Sequence, residues 1–122
     1  MTKHKVLLAE DETAIATALK LKLEKENFEV VHVIGGIQAL EMLHKESFSV
    51  VLLDLIMPDK NGFEVLEELK KEKNKVPVLV LSNLSQEEDI KKAQELGAID
   101  YLIKSDTNLS DIVAYLKTFL KV

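Results

Sequence analysis

The sequence contains no cysteine and no arginine. Without cysteine there is no disulfide framework, no thiolate nucleophile and no cysteine–zinc site. Without arginine the chain lacks the planar, bidentate donor that clamps phosphates and reads base edges, and all 16 of its basic residues are lysine. Against 21 acidic residues these leave a net charge of −5, which disfavours direct contact with nucleic acid or an anionic membrane. Long apolar runs are missing too. The longest near the start, Val6-Leu7-Leu8-Ala9, falls far short of the about 7–15 residues of a secretion signal or the ~20 of a membrane span. A cytoplasmic location is the expectation. No Pro/Ser-rich linker, low-complexity tract or internal repeat interrupts the 122 residues, so a single domain is expected over 1–122 with no room for a second.

What the chain does have is a content of 47% apolar residues, enough for one core without metal or disulfide staples. Five short apolar runs stand out: Val6–Ala9, Val30–Ile34, Val50–Leu53, Val78–Leu81 and Tyr101–Ile103. Their length and β-branched content predict strands, the first, third and fourth buried on both faces. Helix-length segments separate them. Ile15, Leu19 and Leu23 form one apolar stripe, Leu66 and Leu69 a second, and Ile90, Ala93 and Leu96 a third. A shorter helix is expected around Ala39, Leu40 and Leu43 after the Gly35-Gly36 turn. The last helix, with Leu109, Ile112, Val113, Leu116 and Leu120 on one face, opens at Asn108 or Thr107 as its cap. Met57-Pro58 with Asn61-Gly62 reads as a chain reversal, and Gly97 as a helix C-cap in the left-handed region. Strict alternation of five β and five α elements predicts a doubly wound α/β domain with a parallel sheet covered on both sides.

In such sheets ligands bind beyond the carboxyl ends of the strands. Glu10 and Asp11 follow the first strand there, Asp54 the third, Ser82 the fourth and Lys104 the fifth. With the first and third strands adjacent, Asp11 and Asp54 come within about 5 Å, a repulsion of about 3 kcal/mol at an effective dielectric near 20. Protons, solvent or a cation must relieve it. Oxygen ligands without histidine or cysteine favour Mg2+ or a similar hard ion that keeps open positions for a phosphate oxygen. A carboxylate beside such an ion, with a hydroxyl and an ammonium aimed at the same point, suits phosphoryl transfer to form an acyl phosphate. Asp54, central among these groups, is the natural acceptor.

Taken one at a time, each residue has an ordinary use: Asp11 as a helix cap, Glu10 as a solvated carboxylate, Asp54 as a loop opener, Ser82 as a turn residue, Lys104 as a surface lysine. Tyr101 alone would be sheet-edge packing. The ordered set carries more. Leu7-Leu8-Ala9-Glu10-Asp11-Glu12, Val51-Leu52-Leu53-Asp54-Leu55-Ile56-Met57-Pro58, Asn61-Gly62, Leu81-Ser82 and Gly97-Ala98-Ile99-Asp100-Tyr101-Leu102-Ile103-Lys104 resemble, along the whole chain, the receiver domain of two-component response regulators.

The resemblance implies a flavodoxin-like (βα)5 fold with strand order 2-1-3-4-5. It implies that Asp54 is the phosphoacceptor, with Mg2+ held by Asp11, by Glu10 through water, by Asp54 and by the backbone carbonyl of Ile56. Ser82 and Lys104 would engage the phosphoryl oxygens. Ser82 and Tyr101 would form the switch, and the fourth helix, fifth strand and fifth helix the responding face. The implied partners are a sensor histidine kinase or phosphotransfer protein and a downstream protein target, with no output domain in the chain and a monomer or weak phosphorylation-dependent dimer as the assembly. Asp100 matches an acidic position used in some receiver dimers, but the arginines that would partner it are absent and Lys117 is the available substitute.

Three positions depart from the family pattern: Asn83 where a small residue is common, the apolar Ile56, and Ser105 where proline after a cis peptide is usual. A trans bond and a rearranged turn are therefore expected at Ser105. A phosphatase reading would need a second acid two residues after Asp54, where Ile56 stands. A nucleotide or flavin carrier would need a phosphate-binding loop where Glu10-Asp11-Glu12 stands. A phosphorylation-independent docking module is the remaining alternative.

Overall fold

The computed structural model describes residues 3–122. Five strands, β1 (Lys5–Ala9), β2 (Glu29–Val33), β3 (Val50–Leu53), β4 (Val78–Ser82) and β5 (Asp100–Ile103), alternate with α1 (Thr13–Lys25), α2 (Gly36–Lys45), α3 (Gly62–Lys71), α4 (Glu87–Glu95) and α5 (Leu109–Leu120). All four pairings are parallel and the order is β2-β1-β3-β4-β5. The expected flavodoxin-like, doubly wound α/β fold is what the chain adopts.

Successive residues on the central strands face opposite layers, as the period of a strand requires. Leu7, Val51, Leu53 and Val80 join a core with α2, α3 and Ala93 of α4. Val6, Leu8, Val50, Leu52, Leu79 and Leu81 join another with α1 and α5. Both faces of β1, β3 and β4 are thus dry apart from the edge Lys5, which accounts for their unbroken apolar runs.

The structure corrects several local expectations. Strand β2 stops at Val33, and Ile34 is 53% exposed because the chain already turns there toward Gly35. In α1 it is Ala16, with Leu19 and Leu23, that faces the core, while Ile15 is half-buried. In α4 only Ala93 is buried. Asn61 and Gly62 both close the chain reversal and open α3: the Gly62 N–H donates to the Leu55 carbonyl at 2.9 Å, and Asn61 is the helix N-cap, in a reciprocal capping box with Glu64. Asn108 rather than Thr107 caps α5, in a second such box with Asp111. Gly97 holds φ +104°, as its place behind α4 requires.

Register sets the acidic edge. Ala9 pairs with Leu53, so Glu10 and Asp54 leave the sheet side by side, and the Asp54 N–H still donates to the Ala9 carbonyl at 3.0 Å. Ser82 pairs with Ile103, which brings Lys104 beside the hydroxyl strand. Gly62 holds α3 against this edge. A Cβ there would lie 2.5 Å from the Asp54 carbonyl oxygen and 2.7 Å from the Leu55 Cα, both backbone atoms that cannot swing aside. Gly62→Ala is expected to lower stability by about 1–3 kcal/mol, the usual cost of overpacking. Asn108→Ala, which removes only a cap, should cost about 1 kcal/mol. Urea unfolding of both variants checks the magnitudes and their order.

Candidate functional site

At the carboxyl edge of the sheet, Lys104 reaches back across the ends of β3 and β1. Its Nζ lies 2.9 Å from Asp54 Oδ2, 2.6 Å from Glu10 Oε1 and 2.9 Å from Glu12 Oε1. The lysine side chain is 7% exposed and Glu10 2%. Asp54 Oδ1 accepts the Ile56 N–H at 3.3 Å, and Glu10 Oε2 accepts the Glu12 N–H at 3.0 Å. Glu10 and Asp54 are therefore each shared between the lysine and a backbone donor of the loop that follows, which fixes their orientation.

Burial and charge pull against each other here. Burial raises the Glu10 pKa above the ordinary carboxylate range, and the Lys104 hydrogen bond opposes that rise. Burial would lower the pKa of Lys104, but the bonds to Glu10, Asp54 and Glu12 override it and raise the ammonium well above its usual value. Lys104 is therefore a fixed cation.

Glu10, Glu12 and Asp54 each offer a carboxylate oxygen, and the oxygens lie within 4.8 Å of one another. An all-oxygen donor set of this kind fits a hard divalent cation such as Mg2+. Asp11 is exposed and lines the mouth of the cleft, of about 190 Å³, together with Glu12, Asp54, Ile56, Asn83 and Lys104, without joining the three-oxygen cluster. Glu12, which the sequence reading quoted but gave no role, does join it. The signal was there: three consecutive acids follow β1, and the chain turns so that the first and third both reach Lys104. Asp11 also does not cap α1, whose N-cap is Glu12, a residue whose side chain goes to Lys104 and makes no capping bond.

Ser82 is fully buried, and its Oγ accepts the Leu84 N–H at 3.3 Å. Tyr101, half-buried on β5, donates its hydroxyl to the Leu84 carbonyl. Burial, and then the charge of Asp89, push the phenol pKa up, so it stays a donor. Ile56 is 57% exposed at the lip of the cleft. His32, given no role from sequence, donates Nε2–H to the Glu10 carbonyl at 2.7 Å and pins the end of β1 from the edge strand. No peptide among the described residues is cis, and Lys104–Asp106 forms a 3-10 turn, in line with the trans bond expected at Ser105. Lys117 pairs within the chain with Glu26 at 2.6 Å, and the Asp100 carboxylate accepts the Tyr101 N–H at 2.8 Å.

Removing the lysine leaves three carboxylates facing one another. Lys104→Ala should lose about 3 kcal/mol of unfolding free energy at pH 7, in the range for breaking a buried pair. The Glu10 pKa, already raised in the folded state, rises further, so the folded variant binds protons more readily than the unfolded chain. Its deficit against the parent must therefore shrink as pH falls from 7 toward 4. The lysine's own contribution is complete below its ordinary pKa and is lost only in strongly alkaline solution. Urea midpoints at both pH values in metal-free buffer test this, and a pH-independent deficit is the contrary result.

Comparison with known proteins places the arrangement in a family. The pattern of the response regulator receiver domain matches residues 6–117. The cell cycle response regulator CtrA of Brucella ovis is 38% identical over 100 residues, which cover 82% of this chain and 43% of that protein. The chain thus corresponds to less than half the length of that curated relative. Among solved structures, the Francisella response regulator 1452 receiver domain superposes with a TM-score of 0.91 at 28% identity, covering 98% of both chains. The BeF3-activated N-terminal receiver domain of Klebsiella pneumoniae RstA superposes with a TM-score of 0.88 at 28% identity, covering 98% of this chain and 100% of that one. A matched pattern over nearly the whole chain, joined to the same sheet order, shows that the chain belongs to the response regulator receiver domain family.

Proposed function

We propose that Asp54 accepts a phosphoryl group from the phosphohistidine of a sensor histidine kinase or phosphotransfer protein, in a Mg2+-dependent reaction. Receiver domains are signalling domains rather than classical enzymes, and here the aspartate is itself the substrate. The observation that carries the reading is the Asp54 carboxylate held 2.9 Å from a buried, permanently charged Lys104 at the mouth of an acidic cleft. An Asp54 oxygen attacks phosphorus, the phosphorus–nitrogen bond of the donor imidazole breaks, and that nitrogen leaves with the bonding pair. The product is an acyl phosphate.

Glu10, Asp11, Asp54 and the Ile56 carbonyl are the residues proposed to hold the cation, with Glu12 at hand in the same cluster. When bound, Mg2+ neutralises charge that gathers on the phosphoryl oxygens. The chain's own groups do the rest. Lys104 is positioned to pair with one phosphoryl oxygen, and Ser82, whose oxygen accepts the Leu84 N–H while its own O–H stays available, to turn and donate to another. That rearrangement bears on the Leu84 carbonyl, which Tyr101 holds. Helix α4 buries only Ala93, and every residue of β5 is half-buried, so this corner is the loosest in packing and suited to move. The α4–β5–α5 face is the proposed surface for a downstream protein.

Incubation with acetyl phosphate or beryllium fluoride should give a Mg2+-dependent adduct, read by mass spectrometry or amide NMR shifts. Asp54→Asn is expected to abolish it. Asp11→Asn should weaken magnesium binding by roughly tenfold or more. An adduct that persists in the Asp54 variant would exclude the assigned acceptor.

A further inference from the structure

The two residues that follow the hydroxyl and the ammonium are bonded to each other. The Ser105 N–H donates to Asn83 Oδ1 at 3.0 Å, across 22 positions of sequence. Asn83 comes directly after Ser82 and Ser105 directly after Lys104. The last register pair of the β4–β5 ladder is Ser82 with Ile103, so the Asn83 side chain adds one more rung where the two backbones have already left the sheet.

The chemistry fixes the amide's orientation. A backbone N–H can only donate, so the carboxamide oxygen must face Ser105, and the two Nδ2 hydrogens remain as donors on a residue that lines the Asp54 cleft. Proline at position 105 would have no N–H to give. Two of the three departures from the family pattern, Asn83 and Ser105, are thus the two halves of one contact.

The same short loop is tied a second time, since Tyr101 holds the Leu84 carbonyl and the Leu84 N–H reaches back to Ser82 Oγ. Residues 83 and 84 are therefore fastened to both ends of β5, one through Tyr101 within the strand and one through the turn just beyond it.

We propose that Asn83 is a positioning residue: through the Ser105 N–H it locks the β4–α4 loop to the Lys104 turn and sets the spacing at which the Ser82 hydroxyl and the Lys104 ammonium meet an incoming phosphoryl group. The proposal rests on Asp54 being the acceptor. It assigns to Asn83 a role in geometry, separate from any effect of its bulk on access to the cleft.

A double-mutant cycle tests it. Asn83→Leu keeps a branched side chain of comparable reach but has no acceptor, and Ser105→Pro removes the donor. At saturating acetyl phosphate and Mg2+, each single variant should form the Asp54 adduct about fivefold more slowly, the size expected for one lost hydrogen bond. The double variant should be no slower than either single one, because both remove the same contact. A change in bulk alone would instead alter the half-saturating acetyl phosphate concentration and leave the saturated rate unchanged. Independently of any phosphorylation, the Ser105 amide should shift in its NMR resonance and exchange with solvent faster in Asn83→Leu, while the urea midpoint shows the fold intact. Rates that multiply in the double variant, or a Ser105 amide indifferent to Asn83→Leu, overturn the latch. Absence of any adduct in the parent protein overturns the acceptor assignment, and the positioning role with it.

Discussion

One ammonium group placed among three carboxylates is the contact on which the acidic edge of the sheet depends. Glu10 and Lys104 are both largely withdrawn from water, and neither would hold its charge there alone. Lys104 bonds Glu10, Glu12 and Asp54 together, and its hydrogen bond to Glu10 opposes the rise that burial imposes on that carboxyl. Three carboxyl groups around one ammonium make an all-oxygen donor set that suits a hard cation. The partners stand at positions 10, 12, 54 and 104 and meet only when β1, β3 and β5 occupy their places in one sheet. Folding and site formation are consequently one event.

The same geometry divides the molecule into a rigid half and a looser one. Strands β1, β3 and β4 are covered on both faces, and His32 and the Ala9 carbonyl pin the loops at the acidic end. Toward β5 the packing thins, because β5 is an edge strand and α4 gives the core only Ala93. Here a few polar contacts take over from burial: Tyr101 on Leu84, Asn83 on Ser105, Thr107 Oγ1 on the Ile103 carbonyl at 2.8 Å. Polar contacts of about 1 kcal/mol each can be exchanged singly, whereas a packed apolar layer cannot.

Much of this could be read before any coordinates. The five apolar runs marked the strands to within a residue or so, since a buried parallel strand must be apolar throughout. Their alternation with helical stripes dictated the layered sheet. Polar residues at four strand ends located the site, because the carboxyl edge is where such a sheet leaves a crevice. Gly97 announced itself through local backbone chemistry alone, and the same chemistry narrowed the cap of α5 to Asn108 or Thr107. Where sequence reading slipped, the cause was tertiary: in α1 it is Ala16 that the packing buries and Ile15 that it leaves half-exposed, and Gly62 proved to be a point of close backbone approach.

Sequence by itself determined the fold class, the sheet's contents and the identity of the acidic edge, because periodicity and strand-end chemistry are local properties. Only the tertiary structure decided that Glu12 joins Glu10 and Asp54 around Lys104 while Asp11 stays at the rim, and that Asn83 meets Ser105. Those outcomes depend on how three loops, after β1, β4 and β5, turn once their strands end. No spacing encodes that, because the partners are chosen by distances across the sheet rather than along the chain.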